Sequence, residues 1–128
     1  MMVTESNKTA LVIGGSGIAG SSIIRRLNQE GGWTVLSLSR NPVSGSDSRH
    51  IPADLLAADS LADALRGETP THVFFTAWAR QDTEEENIRV NRAMLRNVLR
   101  ALEHAPVEHV ALMTGLKHYL GPFEAYAS

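Results

Sequence analysis

Three glycines at positions 14, 17 and 20 constrain this chain more than any other feature. The stretch Gly14-Gly15-Ser16-Gly17-Ile18-Ala19-Gly20 follows the apolar run Ala10-Leu11-Val12-Ile13 and opens into Ser21-Ser22-Ile23-Ile24-Arg25-Arg26-Leu27. A short continuous apolar run bounded by a turn is the pattern of a strand buried on both faces. The segment after the turn has helical spacing, with Ile23, Ile24 and Leu27 on one stripe. Strand, glycine turn, helix is the context in which a glycine motif makes a phosphate cradle. Gly14 and Gly17 let the backbone turn tightly and approach a pyrophosphate, and Gly20 lets the helix pack closely on the sheet. The phosphates would meet the free N–H groups and positive dipole of the helix N-terminus, with Ser16 and Ile18 beside them. The spacing is GxxGxxG rather than GxGxxG, and a purely structural turn is the competing reading.

The rest of the chain alternates strands and helices. The first helix spans about 18–30 and stops at Gly31-Gly32, where glycine takes a left-handed cap without steric cost. Trp33 to Ser39 is a strand, broken by Arg40-Asn41-Pro42. A Ser/Gly/Asp loop leads to a short strand, 50–54, whose Pro52 suits a sheet edge. Asp59 is placed to cap a helix carrying Leu61, Ala62, Ala64 and Leu65 and ended by Gly67. A strand spans 71–77, and a long helix about 83–104 with Ile88, Leu95, Val98, Leu99 and Leu102 as its buried face. Glu84, Glu85 and Glu86 sit in its first turns, where they favour the positive end of the dipole. Pro106 ends that helix, and 108–114 is a fifth strand.

Such alternation gives an α/β fold with a Rossmann-type parallel sheet. Right-handed crossovers then dictate the strand order 3-2-1-4-5, truncated after strand five. They also put the first helix on one face and the other two on the opposite face. No helix joins the second and third strands, so the first face should be thinly covered and strand five should be an apolar edge. That edge predicts a homo-oligomer or swapped dimer. The expected organisation is a disordered lead-in over 1–8, a nucleotide-binding domain over 9–115 and an active-site-loop-like tail over 116–128.

Composition narrows the partners. The chain has 128 residues, a net charge of −2 and no cysteine. Thiolate catalysis, disulfides and Cys-based zinc sites are thereby excluded. The five histidines show no metal-ligand spacing, so no metal is expected. There is no basic block to attract nucleic acid, and no apolar run approaches the ~20 residues that span a bilayer. A cytoplasmic location is the default expectation.

Four further places carry candidate chemistry. An acid about 20 residues past the glycines, at the end of the second strand, accepts from the ribose 2′-OH in NAD sites. Ser39 and Arg40 occupy that place. They would not repel a 2′-phosphate, and the arginine fork suits phosphate oxygens, so NADP(H) is expected as cofactor in preference to NAD(H). The competing reading of Arg40 is an ordinary exposed loop residue. Asp54 can accept from an adenine amino group while Leu55 lines the pocket, or Asp54 can simply be a turn residue. Ala77 and Trp78 follow the fourth strand at the switch point of the sheet; Trp78 is either a pocket wall or a core residue. Thr114 and Lys117 follow the fifth strand. A lysine there can donate to ribose hydroxyls and lower the pKa of a nearby tyrosine, or be a solvated surface lysine.

Three stretches together resemble the N-terminal part of an extended or atypical short-chain dehydrogenase/reductase, within the progesterone 5β-reductase/iridoid synthase-like group. They are the Gly14-x-x-Gly17-x-x-Gly20 turn, the run Asn91-Arg92-Ala93-Met94-Leu95-Arg96-Asn97-Val98-Leu99, and Thr114-Gly115-Leu116-Lys117-His118-Tyr119-Leu120-Gly121-Pro122-Phe123-Glu124. The resemblance implies NADPH-dependent hydride transfer to an activated C=C or C=O bond, typically in an enone. It maps the lysine of that group's Lys-His-Tyr-x-Gly-Pro-Phe-Glu motif onto Lys117. The group's catalytic tyrosine lies in a later segment, and no Tyr-x-x-x-Lys is present here: Tyr119 and Tyr126 have no lysine after them. Two other functions compete: a non-catalytic nucleotide-binding half-domain, and a relative of the sugar-nucleotide epimerases and dehydratases.

Overall fold

The computed structural model describes residues 8–14, 17–40, 48–77 and 81–112. The expected tail over 116–128 and all of the expected lead-in except Lys8 fall outside these residues. The elements run β1 (Lys8–Ile13), α1 (Ile18–Glu30), β2 (Trp33–Ser39), β3 (Arg49–Pro52), α2 (Ala58–Leu65), β4 (His72–Phe75), α3 (Glu84–Ala101) and β5 (His109–Leu112). All pairings are parallel, and the sheet order is β3-β2-β1-β4-β5. This is the predicted doubly wound order, and β5 is the last strand among the described residues.

The two sheet faces carry separate cores, and alternation along β1 and β2 divides them. Leu11, Ile13, Leu36 and Leu38 point to the side covered by α2 and α3, where Leu61, Leu65, Met94 and Val98 meet them. Ala10, Val12 and Val35 point to the side covered by α1, through Ile24 and Leu27. Each fully buried Leu or Ile contributes about 1.5–3 kcal/mol relative to exposure. The α1 face is the thinner one: Ile23, Trp33 and Phe74 pack on it only half-buried. Val110 and Leu112 of β5 are exposed. Among the described residues no helix is long and apolar enough to cross a membrane, and no group of side chains could hold a metal ion.

Two local expectations are corrected. Asp59 does not cap α2. The N-cap is Ala57, without a side-chain cap, and Asp59 lies inside the first turn, where its charge still favours the dipole. The preceding turn belongs to Asp54: its Oδ1 accepts from Leu56 N at 3.0 Å and its carbonyl accepts from Ala57 N at 3.0 Å.

The second correction concerns α3, whose predicted face holds in part: Val98 and Leu102 are buried and Leu95 packs half-buried on the core, but the buried side is turned toward Val90 and Met94. Asn87, Val90, Asn91, Met94 and Val98 are the buried residues, while Ile88 and Leu99 are 50% and 45% exposed. The reason is polar. Asn91 Nδ2 donates to the Asn87 carbonyl at 2.8 Å, and Asn87 Oδ1 accepts from Gln81 N. The two asparagines are therefore hydrogen-bonded at the helix start, and burying them costs less than their polarity suggests. Thr83 caps this helix, its Oγ1 accepting from Glu86 N at 3.1 Å. In the same turn Arg89 donates to Glu86 and holds that carboxylate below its ordinary pKa, chiefly through the hydrogen bond.

Candidate dinucleotide site

The carboxyl edge of β1 is where the candidate site is built. Gly14 leaves the strand at φ +89, a conformation that favours glycine. Its N–H donates to Leu38 O at 3.0 Å, tying the turn to the end of β2. Gly17 N then donates back to Gly14 O at 3.0 Å. Helix α1 starts at once, with Gly17 as N-cap, no side-chain cap and no acidic residue in its first turn. Its N-terminal dipole is therefore not neutralised from within the helix. Ile18 stands 90% exposed beside it, and Gly20 is buried one turn into the helix.

The chain leaves β1 for β2 on one side, and β4, reached from β3 through α2, pairs with the other side of β1, so the strand order reverses between β1 and β4 and the crevice lies there. Thr76, just past β4, locks the turn from that side. Its Oγ1 lies 2.7 Å from Ile13 O and 3.2 Å from Gly14 O, donating to the end of β1. A Cβ on Gly14 would come within 2.7 Å of Thr76 Oγ1 and 2.9 Å of Ala77 N, whereas among the described residues one on Gly17 would meet Gly14 O alone, at 3.5 Å. Gly14 thus serves close packing against the end of β4, and no other described residue crowds Gly17 in front of the helix. That uncapped and acid-free helix start fits a pyrophosphate. Replacing Thr76 with Val keeps the shape and removes the lock. Thr76→Val is expected to lower stability by about 1 kcal/mol, the net value of one hydrogen bond, as read by urea denaturation.

The other predicted residues divide clearly. Ser39 and Arg40 stand at the end of β2, beside the turn that Leu38 O holds. Ser39 is half-buried and engaged with His50, and Arg40 is exposed. Asp54 is exposed and fills its turn role. Leu55 is half-buried against the α2/α3 core, and its carbonyl accepts from Asn97 Nδ2 at 2.8 Å. Ala77 lies against Gly14. Ser16, Trp78, Thr114 and Lys117 lie outside the described residues. The structure brings together Gly14, Gly17, Ile18, Ser39, Arg40 and Ala77 along one sheet edge. Thr76, His50 and Asn97 were not singled out from sequence, because a hydroxyl after a strand or an amide in a helix has no local signature. Away from this edge, Arg49 on β3 is bidentate to Glu68 at 3.1 and 2.6 Å, a hydrogen bond that raises its already high pKa.

The sequence model described as "NAD dependent epimerase/dehydratase family" matches residues 10–122. Among curated proteins, the chain is 37% identical over 135 residues to an (S)-8-oxocitronellyl enol synthase of Camptotheca acuminata, covering 95% of this chain and 34% of that protein. It is 40% identical over 126 residues to a 3-oxo-Delta(4,5)-steroid 5-beta-reductase of Arabidopsis thaliana, covering 89% of this chain and 32% of the relative. The chain thus spans about a third of the length of the curated relatives it matches. Among solved structures, MoeE5 in complex with UDP-glucose and NAD is similar at 26% identity and a TM-score of 0.69, over 89% of this chain and 38% of that one. The Bordetella bronchiseptica enzyme WbmG in complex with NAD is similar at 26% identity and a TM-score of 0.67, over 84% of this chain and 37% of that one.

These relatives bear out the resemblance to the 5β-reductase/iridoid synthase-like group. They overturn the expectation of NADP(H). The matching family is described as NAD dependent, and the solved relatives hold NAD. The physical error lies in Ser39 and Arg40. Lack of an acid removes a repulsion against a 2′-phosphate, but an exposed arginine beside a serine does not by itself create a phosphate site. With the turn, the sheet order and the family match agreeing, the chain belongs to the NAD dependent epimerase/dehydratase family, among the extended short-chain dehydrogenases/reductases.

Proposed function

We propose that this chain is the NAD-binding part of a reductase that transfers hydride to an enone or carbonyl compound. The uncapped, acid-free start of α1 behind Gly17 is the observation that carries the reading. In it, Gly14, Ser16, Gly17, Ile18 and Gly20 cradle the pyrophosphate; Ser39 and Arg40 face the adenosine ribose; Asp54 and Leu55 border the adenine. Ala77, Trp78 and Thr114 line the path toward the nicotinamide. A bound reduced nicotinamide supplies the hydride. Lys117 is the candidate for holding ribose hydroxyls and steadying the developing enolate. The substrate class is supported by the name of the Arabidopsis relative, whose 3-oxo-Delta(4,5) steroid is an enone. A second copy over the exposed β5 is the assembly that matches this reading.

A nucleotide-binding half without turnover is the second reading. Calorimetric titration with NAD, followed by mixing with NADH and a panel of enones, separates the two. Saturable NAD binding in the micromolar range is expected, of the order of −8 kcal/mol. Loss of NADH absorbance that disappears in Lys117→Ala supports the reductase; binding without turnover supports the half-domain. Absence of NAD binding sinks both.

A further inference from the structure

We propose that His50 is a positioning residue for the adenosine-ribose end of the site, holding the Ser39 hydroxyl where a ribose hydroxyl meets it; the proposal rests on the NAD-binding reading above. His50 lies on β3 and pairs in register with Ser37, one same-face step back from Ser39 on the neighbouring β2. Its ring reaches forward along the sheet edge. Nε2 lies 3.1 Å from the Ser39 carbonyl oxygen and 3.2 Å from Ser39 Oγ. A carbonyl oxygen only accepts, so Nε2 carries the proton and the ring donates to Ser39. One imidazole N–H therefore spans both the main chain and the side chain of the same serine. Ala53 N donates to that carbonyl as well, at 3.3 Å.

This arrangement restricts Ser39 where it matters. A serine hydroxyl has one donor and two lone pairs, so accepting from His50 does not by itself preclude a hydrogen bond to a ribose hydroxyl. Free serine side chains sample three rotamers. The contact to His50 selects one of them before any ligand arrives, which lowers the ordering cost on binding. Ser39 stands at the place where a Rossmann site reads the ribose 2′-OH, and the Leu38 carbonyl next to it is the one that holds the Gly14 turn. The histidine thus acts on the ligand through the serine, from the neighbouring strand β3.

Three variants and two ligands test this by calorimetry on the whole chain. His50→Phe keeps the ring volume without a donor. His50→Gln replaces the donor, its amide nitrogen reaching about as far as Nε2. Ser39→Ala removes the target. The ligands are NAD and the NAD analogue with 2′-deoxyribose in its adenosine half. The expected result is that His50→Phe weakens NAD about five- to tenfold, as befits one hydrogen bond, while His50→Gln recovers most of the loss. The 2′-deoxy analogue should bind wild type and His50→Phe alike, and His50→Phe should add nothing in a Ser39→Ala background. An equal loss for both ligands assigns His50 a merely structural role and overturns the proposal, as does unchanged NAD affinity in His50→Phe. Failure of the wild-type chain to bind NAD removes the reading beneath it, a result distinct from either. If His50→Phe does not fold, His50→Gln against Ser39→Ala carries the comparison: the proposal requires the glutamine variant to keep, and the alanine variant to lose, discrimination between NAD and its 2′-deoxy analogue.

Discussion

Gly14→Ala is expected to destabilise the chain strongly for the addition of one methyl group. Two costs add. At φ +89 an L-residue is strained by about 1–2 kcal/mol. The new Cβ would also lie 2.9 Å from Ala77 N and 3.1 Å from Ala77 Cα, backbone atoms of the β4 end that cannot rotate away. Overpacking of that kind costs about 1–3 kcal/mol more. The sum is about 2–5 kcal/mol by urea denaturation. NAD affinity should fall about tenfold or more, since a misplacement of the turn moves the helix start that faces the pyrophosphate. Gly31→Ala is the control. Gly31 has φ +77 and nothing within 4 Å of its would-be Cβ, so only the strain of about 1–2 kcal/mol applies. Equal losses in the two variants would show that the contact with Ala77 is not what demands glycine at position 14.

Met94→Ala should lower stability by about 2–5 kcal/mol, against under about 1 kcal/mol for Leu99→Ala. Met94 is 5% exposed in the core that α3 shares with α2 and the sheet, while Leu99 is 45% exposed. Removal of a buried thioether leaves a cavity that its neighbours fill only in part. Removal of a half-exposed Leu leaves space that solvent fills. Hydrophobicity alone ranks these two substitutions the other way, so the pair reports directly on the rotation of α3. Greater loss in Leu99→Ala would mean that the helix packs on the stripe Ile88, Leu95 and Leu99 instead.

Much of the site is legible in the amino-acid sequence, for reasons that are local. The bounds of α1 are readable at 18 and 30, because the glycine turn precedes the helix and Gly31, at φ +77, ends it. The bounds of β2 are equally readable, from a run of apolar and β-branched residues broken by Arg40-Asn41-Pro42. Sheet order needs only the handedness of crossovers. The face of α3 is legible only in part. Its apolar residues form two overlapping stripes, and a polarity rule discards Asn87 and Asn91, whose burial is made tolerable by hydrogen bonds to Gln81 N and within the helix. The cap of α2 fails for a similar reason: the Asp54 turn brings the chain into the helix earlier than a cap at Asp59 allows.

By itself, then, the sequence determined the elements, their order and the glycine turn, because strand patterning, helix ends and crossover handedness depend on residues near one another in the chain. It also carried the family, through motifs shared with relatives about three times as long. Tertiary structure alone decided that the buried side of α3 turns toward Val90 and Met94, that Thr76 locks Gly14 from 62 residues away, and that His50 holds Ser39 across a strand boundary. Those contacts join chain positions that only the sheet register brings together, and a hydroxyl or an imidazole shows its role only when its partner is in place. The cofactor reading shows the same division: Ser39 and Arg40 suggest a phosphate in sequence, and in the folded chain the arginine faces solvent.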